Sequence, residues 1–328
     1  MSNVNFQERK TKLPEGQIIP LTTDFAFKMM WGNENHPEVT ALLISKLLKI
    51  PYEEVEGKIR FTNSRNQNLS LGDKNSDKDV SFIVDTSEPL KISLEMNFSP
   101  NAFIYNSLIE RNLYYLSNFF GTGLGQRSYS DLKTTIQFNF NMDFVDKEHK
   151  KLIDVYTFRN EEGHVLTEIM QIVHINIAEI YDICYNRPEE LKKFDKGMQD
   201  VMKLLACIVT NEEEFFNKML DGVDTSNRLK ITMKEMVEDM KNDEELCVLF
   251  YDKQEENKKI WDSIREEYGE MVKKESFDEG HTAGLEQGLE QKEHEIVVNM
   301  KEKGFALEVI SDITNLSIDK IEKILENK

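Results

Sequence analysis

The segment Lys78-Asp-Val-Ser-Phe-Ile-Val-Asp85 is followed by a short turn and then by Leu90-Lys-Ile-Ser-Leu-Glu-Met-Asn-Phe98. Large apolar side chains occupy every second position of both segments, and polar side chains lie between them. A period of two is typical of β-strands, whose side chains alternate between the two faces of a sheet. The sequence therefore predicts a β-hairpin, and a turn centred on Ser87 would place Asp79 directly opposite Glu95.

One face of this hairpin carries Asp79 and Glu95, and Asn97 follows two residues later on the same face. Directly opposed residues of an antiparallel pair have Cβ atoms about 5 Å apart. Two carboxylates at that separation repel each other, and a bound divalent cation removes the penalty. The pattern predicts a metal site, and the alternative is a solvated sheet face that carries two acidic residues without binding metal.

Acidic residues outnumber basic ones in this chain of 328 residues, which has a formal net charge of −19. The net charge is −5 over residues 1–180 and −14 over residues 181–328. Nucleic-acid-binding proteins usually show a basic patch, so this balance counts against a simple DNA-binding module. Binding to DNA would need a local groove, a metal ion or a partner.

The three cysteines, Cys184, Cys207 and Cys247, are far apart in the sequence and form no CxxC pair. We expect reduced, buried thiols in a cytoplasmic protein, because disulfides are rare in that compartment. The six histidines show no zinc-binding spacing. No apolar run approaches the ~18–20 residues that cross a membrane, and the first residues lack the apolar core of a signal peptide.

Helical and strand patterns alternate in the first part of the chain, which indicates an α/β protein with a mixed sheet. From about Pro188 the pattern is helical to the end. We therefore predict an α/β domain over residues 1–187, an acidic helical extension over 188–270, and a glycine-spaced helix with a small two-helix tail over 271–328. Strands are predicted within 59–63, 78–98, 133–144, 152–159 and 168–177, and helices over 22–32, 38–49, 100–120, 191–209, 212–220, 228–241 and 246–268.

A stripe of glycines, Gly280, Gly284 and Gly288, recurs every four residues in the last of these regions. Each glycine costs a helix up to ~1 kcal/mol relative to alanine, so such a stripe indicates a helix that another helix approaches closely. The stripe predicts a homo-oligomer that forms through the C-terminal helices.

Six short stretches that occur in order along the chain belong together, namely Asp24–Lys28, Lys78–Val80, Leu94–Asn97, Arg111 with Tyr114–Tyr115, Tyr129–Lys133 and Gly304–Ser317. As an ordered set they resemble the PD-(D/E)XK nuclease family transposases, the recombination-promoting nuclease group. The resemblance implies a restriction-endonuclease-like fold, a mixed β-sheet core flanked by helices, with an all-helical C-terminal extension. It also implies a Mg²⁺-dependent DNA endonuclease, which is a hydrolase that acts in DNA recombination.

The same resemblance implies a catalytic role for three hairpin residues. Asp79 and Glu95 would be the ligands of Mg²⁺ or Mn²⁺. Asn97 lies where the family usually has Gln and related nucleases have Lys, and would hold the attacking water. Its amide reaches about 1.5 Å less far than that of Gln, which matters where the reacting geometry is tight.

Four further residues would support the site or contact DNA phosphate. Asp24 and Lys28 lie one helical turn apart, and the resemblance implies an outer acid and a phosphate contact. Arg111, near Tyr115, would brace the carboxylates or touch phosphate. The alternatives are an exposed ion pair between Asp24 and Lys28, and packing of Arg111 beside Tyr115.

Two functions remain open at this stage. The Asp79–Glu95 pair favours a metal-dependent DNA endonuclease. Asn97 and the acidic composition favour a catalytically inactive nuclease-fold protein that acts as a DNA-associated or protein-interaction and assembly module.

Overall fold

The computed structural model of the protein describes residues 10–62, 79–97, 102–122, 128–259 and 316–326, together with isolated positions between 297 and 314. The chain divides into two compact units, residues 1–257 and residues 258–328. The boundary between these units follows residue 257, and the domain boundaries after residues 187 and 270 stay predictions.

A six-stranded sheet forms the centre of the first unit. Its strands are β1 (Ile59–Phe61), β2 (Val80–Val84), β3 (Leu90–Asn97), β4 (Thr134–Asn141), β5 (Ile153–Arg159) and β6 (Val165–Asn176). Their spatial order is β1-β2-β3-β4-β6-β5. The pairs β3–β4 and β4–β6 are parallel and the other pairs are antiparallel. The predicted mixed sheet is confirmed.

Strands β2 and β3 form the predicted hairpin. Val80 pairs with Leu94 and Val84 pairs with Leu90, which confirms the predicted register. Continuing this register by one residue sets Asp79 opposite Glu95.

Helices lie before, between and after the strands, close to the predicted positions. Helix α1 begins after Thr23 and ends before Gly32, as expected. The helix predicted over 191–209 is interrupted, because Asp195 caps a new helix by accepting a hydrogen bond from the backbone of Met198. The helices are α1 (Asp24–Trp31), α2 (Pro37–Leu48), α3 (Ala102–Gly121), α4 (Ile177–Tyr185), α5 (Pro188–Leu191), α6 (Lys196–Val209), α7 (Glu213–Asp221), α8 (Asn227–Asn242), α9 (244–259) and α10 (Ile318–Glu326), with 3₁₀ turns at Tyr52–Glu54 and Tyr129–Asp131.

The main hydrophobic core lies between the apolar face of the sheet and helices on that side, including α1, α2, α4 and α6. Phe27 of α1 meets Phe140 of β4 edge to face, with ring centroids 5.5 Å apart. Leu204 and Leu205 of α6 are fully buried in the same core. Residues on both sides of position 187 therefore stabilise one core.

The second unit contains a small cluster of Val297, Leu316 and Ile321. Helix α10 agrees with the last helix of the predicted two-helix tail. The glycine stripe at Gly280, Gly284 and Gly288 lies outside the described residues. Among the helices that the structure describes, none combines the length and the apolar character needed to cross a bilayer. The three cysteines are free and buried, as expected.

Candidate functional site

Asp79 immediately precedes β2, and its carboxylate is hydrogen-bonded to the backbone of the neighbouring strand β3. Its Oδ2 accepts a hydrogen bond of 2.7 Å from the backbone nitrogen of Met96, which lies between Glu95 and Asn97. The side chain is only 18% exposed. Burial raises the pKa of Asp79 to about 6, against the opposing effects of the Met96 hydrogen bond and the Lys28 charge. A cation bound at this carboxylate would relieve the cost of its ionisation.

Helix α1 brings a lysine to Asp79. The Nζ of Lys28 lies 2.8 Å from Asp24 Oδ1 and 3.6 Å from Asp79 Oδ1. Burial lowers the pKa of Lys28, but its hydrogen bond to Asp24 and the charges of both carboxylates outweigh burial and raise that pKa. The ammonium therefore stays protonated. The structure contains both the exposed ion pair of our alternative reading and the approach of Lys28 to Asp79.

Glu95 and Asn97 lie on the polar face of the sheet, and both are buried. Glu95 is 4% exposed and Asn97 is 6% exposed. In the parallel register, Glu95 is beside Asn139 and Asn97 is beside Asn141 of β4. The solvated face that was our alternative to a metal site is therefore not what the chain forms here.

A chain of hydrogen bonds runs from α3 through Asn97 across the sheet. Arg111 Nη2 donates to Asn97 Oδ1. Asn97 Nδ2 donates to Asn141 Oδ1 at 2.9 Å, and Asn141 Nδ2 lies 3.2 Å from Nδ1 of His174. Because a guanidinium can only donate, Arg111 sets the direction of both amides and makes His174 Nδ1 the acceptor.

His174 is neutral in this environment, since burial lowers its pKa to about 4. It lines a pocket together with Asp154 and Tyr156 of β5. Sequence reasoning missed both Asn141 and His174. For Asn141, the available signal was the run of polar residues at alternate positions of β4, namely Thr135, Gln137, Asn139 and Asn141.

Arg111 also packs against an aromatic ring. Its Cζ lies 5.8 Å from the ring centroid of Tyr115, within the range of a cation–π contact. Packing beside Tyr115, our alternative for Arg111, is therefore present together with the bond to Asn97.

The carboxylates of Asp79 and Glu95 supply only part of the ligand set that a hard cation such as Mg²⁺ needs. Among the described residues, no group of three or more His, Cys, Asp or Glu side chains is placed to hold a metal ion. Mg²⁺, however, is usually bound by one or two carboxylates and completes its shell with water and phosphate oxygens. Asp79 and Glu95, which are opposite each other when the Val80–Leu94 register is continued, are two carboxylates of this kind.

Comparison with known proteins gives one match. The family model described as PD-(D/E)XK nuclease family transposase matches residues 21–263. No curated protein and no solved structure matches the chain significantly. The matched range contains the whole sheet and helices α1 to α9.

Proposed function

Because the chain belongs to the PD-(D/E)XK nuclease family transposases, we propose that it is a divalent-metal-dependent endonuclease that hydrolyses phosphodiester bonds of DNA. Family membership supports a nuclease-type function with DNA as the substrate. The observation that carries the finer proposal is the hairpin register, which sets Asp79 opposite Glu95 beside the ammonium of Lys28.

Asp79 and Glu95 would hold the ion, Mg²⁺ or Mn²⁺. When bound, such an ion acts as a Lewis acid, lowers the pKa of a water ligand and neutralises charge on the phosphate. The Met96 hydrogen bond orients Asp79 before any ion arrives. This preorganisation reduces the entropy that binding would otherwise cost.

Lys28 would contact a non-bridging phosphate oxygen. Its side chain is 41% exposed and protonated, and Asp24 holds the ammonium at the position from which it reaches Asp79. The buried neighbours Phe27 and Trp31 anchor α1 in the core, so the base of the side chain is fixed. Lys28 thus offers an ammonium group to a phosphate in a chain whose overall charge repels DNA.

Asn97 would act mainly as a positioning residue. Both ends of its amide are engaged, one by Arg111 and the other by Asn141. Such an amide is poorly placed to hold an attacking water as well. Its engagement keeps the end of β3 fixed beside Asp79.

The second candidate is the inactive nuclease-fold protein, acting as a DNA-associated or protein-interaction module. The burial of Glu95 and the engagement of Asn97 favour it, because a catalytic pair must reach its substrate. The two candidates differ in one observable, the cleavage of DNA.

The test is nicking of supercoiled plasmid by the full chain with Mg²⁺ or Mn²⁺. We expect cleavage that EDTA abolishes and that Glu95→Gln lowers by more than about 100-fold, since loss of even an outer-shell partner of a metal costs 10–100-fold. Asp85→Asn is the matched control, because Asp85 pairs with the exposed Arg60 at the far end of the hairpin. A folded wild type that leaves the plasmid intact would favour the second candidate.

A further inference from the structure

Helix α3 rests on the polar face of the sheet, opposite the main core. Two side chains of β3 hold it there. The Nζ of Lys91 contacts the carbonyl oxygens of Phe119 and Thr122 at the end of α3, and Asn97 receives the hydrogen bond from Arg111. A cation at the carboxyl end of a helix stabilises its unpaired carbonyls.

The apolar contribution of α3 is separate from the main core. Leu108, Leu116 and Phe119 are buried, yet none of them belongs to the main core cluster of the described residues. Asn112, which lies one helical turn from Leu108 and from Leu116, is fully buried among them. Among the described side chains of α3, from position 108 onward, a polar residue thus interrupts the apolar stripe that normally packs a helix on a sheet.

Polar atoms under α3 lack hydrogen bonds. Among the described residues, no partner is found for Ser93 Oγ, Gln137 Oε1, Asn139 Nδ2 or either amide atom of Asn112. All four residues are fully buried, and Ser93 lies beside Gln137 in the parallel register. A buried polar group without a partner costs roughly 1–3 kcal/mol. Among the described residues, five such atoms lie at the contact between α3 and the sheet, whereas Trp31 Nε1 and Asp200 Oδ1 are the corresponding atoms on α1 and α6.

We propose that α3 is a movable cover, which lifts from the polar face without unfolding of the main core. Among the described side chains of α3, lifting exposes Leu108, Leu116 and Phe119. It breaks the bonds of Lys91 and Arg111 and lets water reach the unpaired groups. It also opens the face that carries Glu95, which at 4% exposure has little surface for a phosphate in the closed state. A substrate that binds only the open state shifts the population toward it. The role of the cover rests on the proposed nuclease function, whereas the motion itself does not.

The motion is measured by thiol labelling of the full chain under native conditions, without DNA or metal. Ser93→Cys places a thiol under α3, and Ser45→Cys is the matched control, since Ser45 is 3% exposed on α2, in the main-core side of the unit. Native Cys207, fully buried in that core, serves as an internal reference. Peptide mapping by mass spectrometry gives the rate at each site.

We expect Ser93→Cys to label at least about tenfold faster than Ser45→Cys and Cys207, because local opening requires less free energy than global unfolding. Lys91→Met should speed labelling at position 93 and leave position 45 unchanged. Equal labelling rates at positions 93 and 45 would refute the proposal that α3 is a movable cover. If Ser93→Cys does not fold, Thr135→Cys, on the same face of β4 and also fully buried, gives the same readout.

Failure of the cover and failure of the nuclease are distinguishable. Fast labelling at position 93 with no DNA cleavage by the wild type would support the proposal of a movable cover and refute the proposed nuclease function. DNA cleavage with slow labelling at position 93 would refute the cover alone.

Discussion

Asp79→Asn should make the protein more stable at neutral and alkaline pH, although it removes a proposed metal ligand. Burial raises the pKa of this carboxyl from 3.8 to about 6. A carboxyl with a raised pKa in the folded state destabilises that state once it ionises, so stability falls as the pH rises between these two values. Asparagine carries no charge, and its oxygen can still accept the hydrogen bond from Met96.

The size of the effect follows from the pKa shift. A shift of about two units corresponds to roughly 3 kcal/mol, at 1.36 kcal/mol per unit. The attraction of Lys28 is already part of that shift, because it is one of the effects that lower the pKa of Asp79. We therefore expect a gain of about 3 kcal/mol, or an increase in Tm of about 6 °C for a unit of this size.

Thermal unfolding of the full chain from about pH 4 to about pH 8 measures this gain. The advantage of Asp79→Asn should be small at the acid end, grow up to about pH 6 and then stay constant. Asp79→Ala is the control, because it leaves the Met96 amide without its acceptor and should be no more stable than the wild type. A gain that is absent at alkaline pH, or equal across the range, would refute the reasoning.

Three further predictions concern other parts of the chain. Asp200→Ala should lower the free energy of unfolding by about 3 kcal/mol in denaturant titration, because Asp200 is buried and bonds the half-buried Lys46 at 2.9 Å. Asn97→Gln should not raise DNA cleavage in the plasmid assay and should lower Tm, since a longer side chain cannot keep both of its present hydrogen bonds. Removal of residues 258–328 should leave a folded fragment by circular dichroism, because they form a separate compact unit; light scattering should show a monomer if the C-terminal helices carry the predicted homo-oligomer.

The hairpin could be predicted from the sequence because its apolar and polar residues alternate with the two-residue period of a β-strand. Alternation from Val80 to Val84 and from Leu90 to Asn97 sets both the strands and, with the turn, the register. The approach of Lys28 to Asp79 depends on how α1 packs on the sheet, which no local pattern contains. Only the family resemblance implied that Lys28 lies at the site.

The burial of the polar face could not be predicted for a different reason. Polar residues at alternate positions of a strand are typical of a face in contact with water. In this chain α3 covers them, so Gln137 and Asn139 of β4 are fully buried. The bond between Asn141 and His174 depends on the parallel pairing of β4 and β6, which joins residues far apart in the sequence.

The most direct test of a cation shared by Asp79 and Glu95 is calorimetric titration of the full chain with Mn²⁺. We expect Asp79→Asn and Glu95→Gln each to weaken binding by at least about tenfold, while the control Asp85→Asn binds like the wild type. Because both residues would hold one ion, the double variant should lose little more than either single variant. Unchanged Mn²⁺ affinity in both single variants would contradict the metal site, and with it the proposed mechanism of DNA hydrolysis.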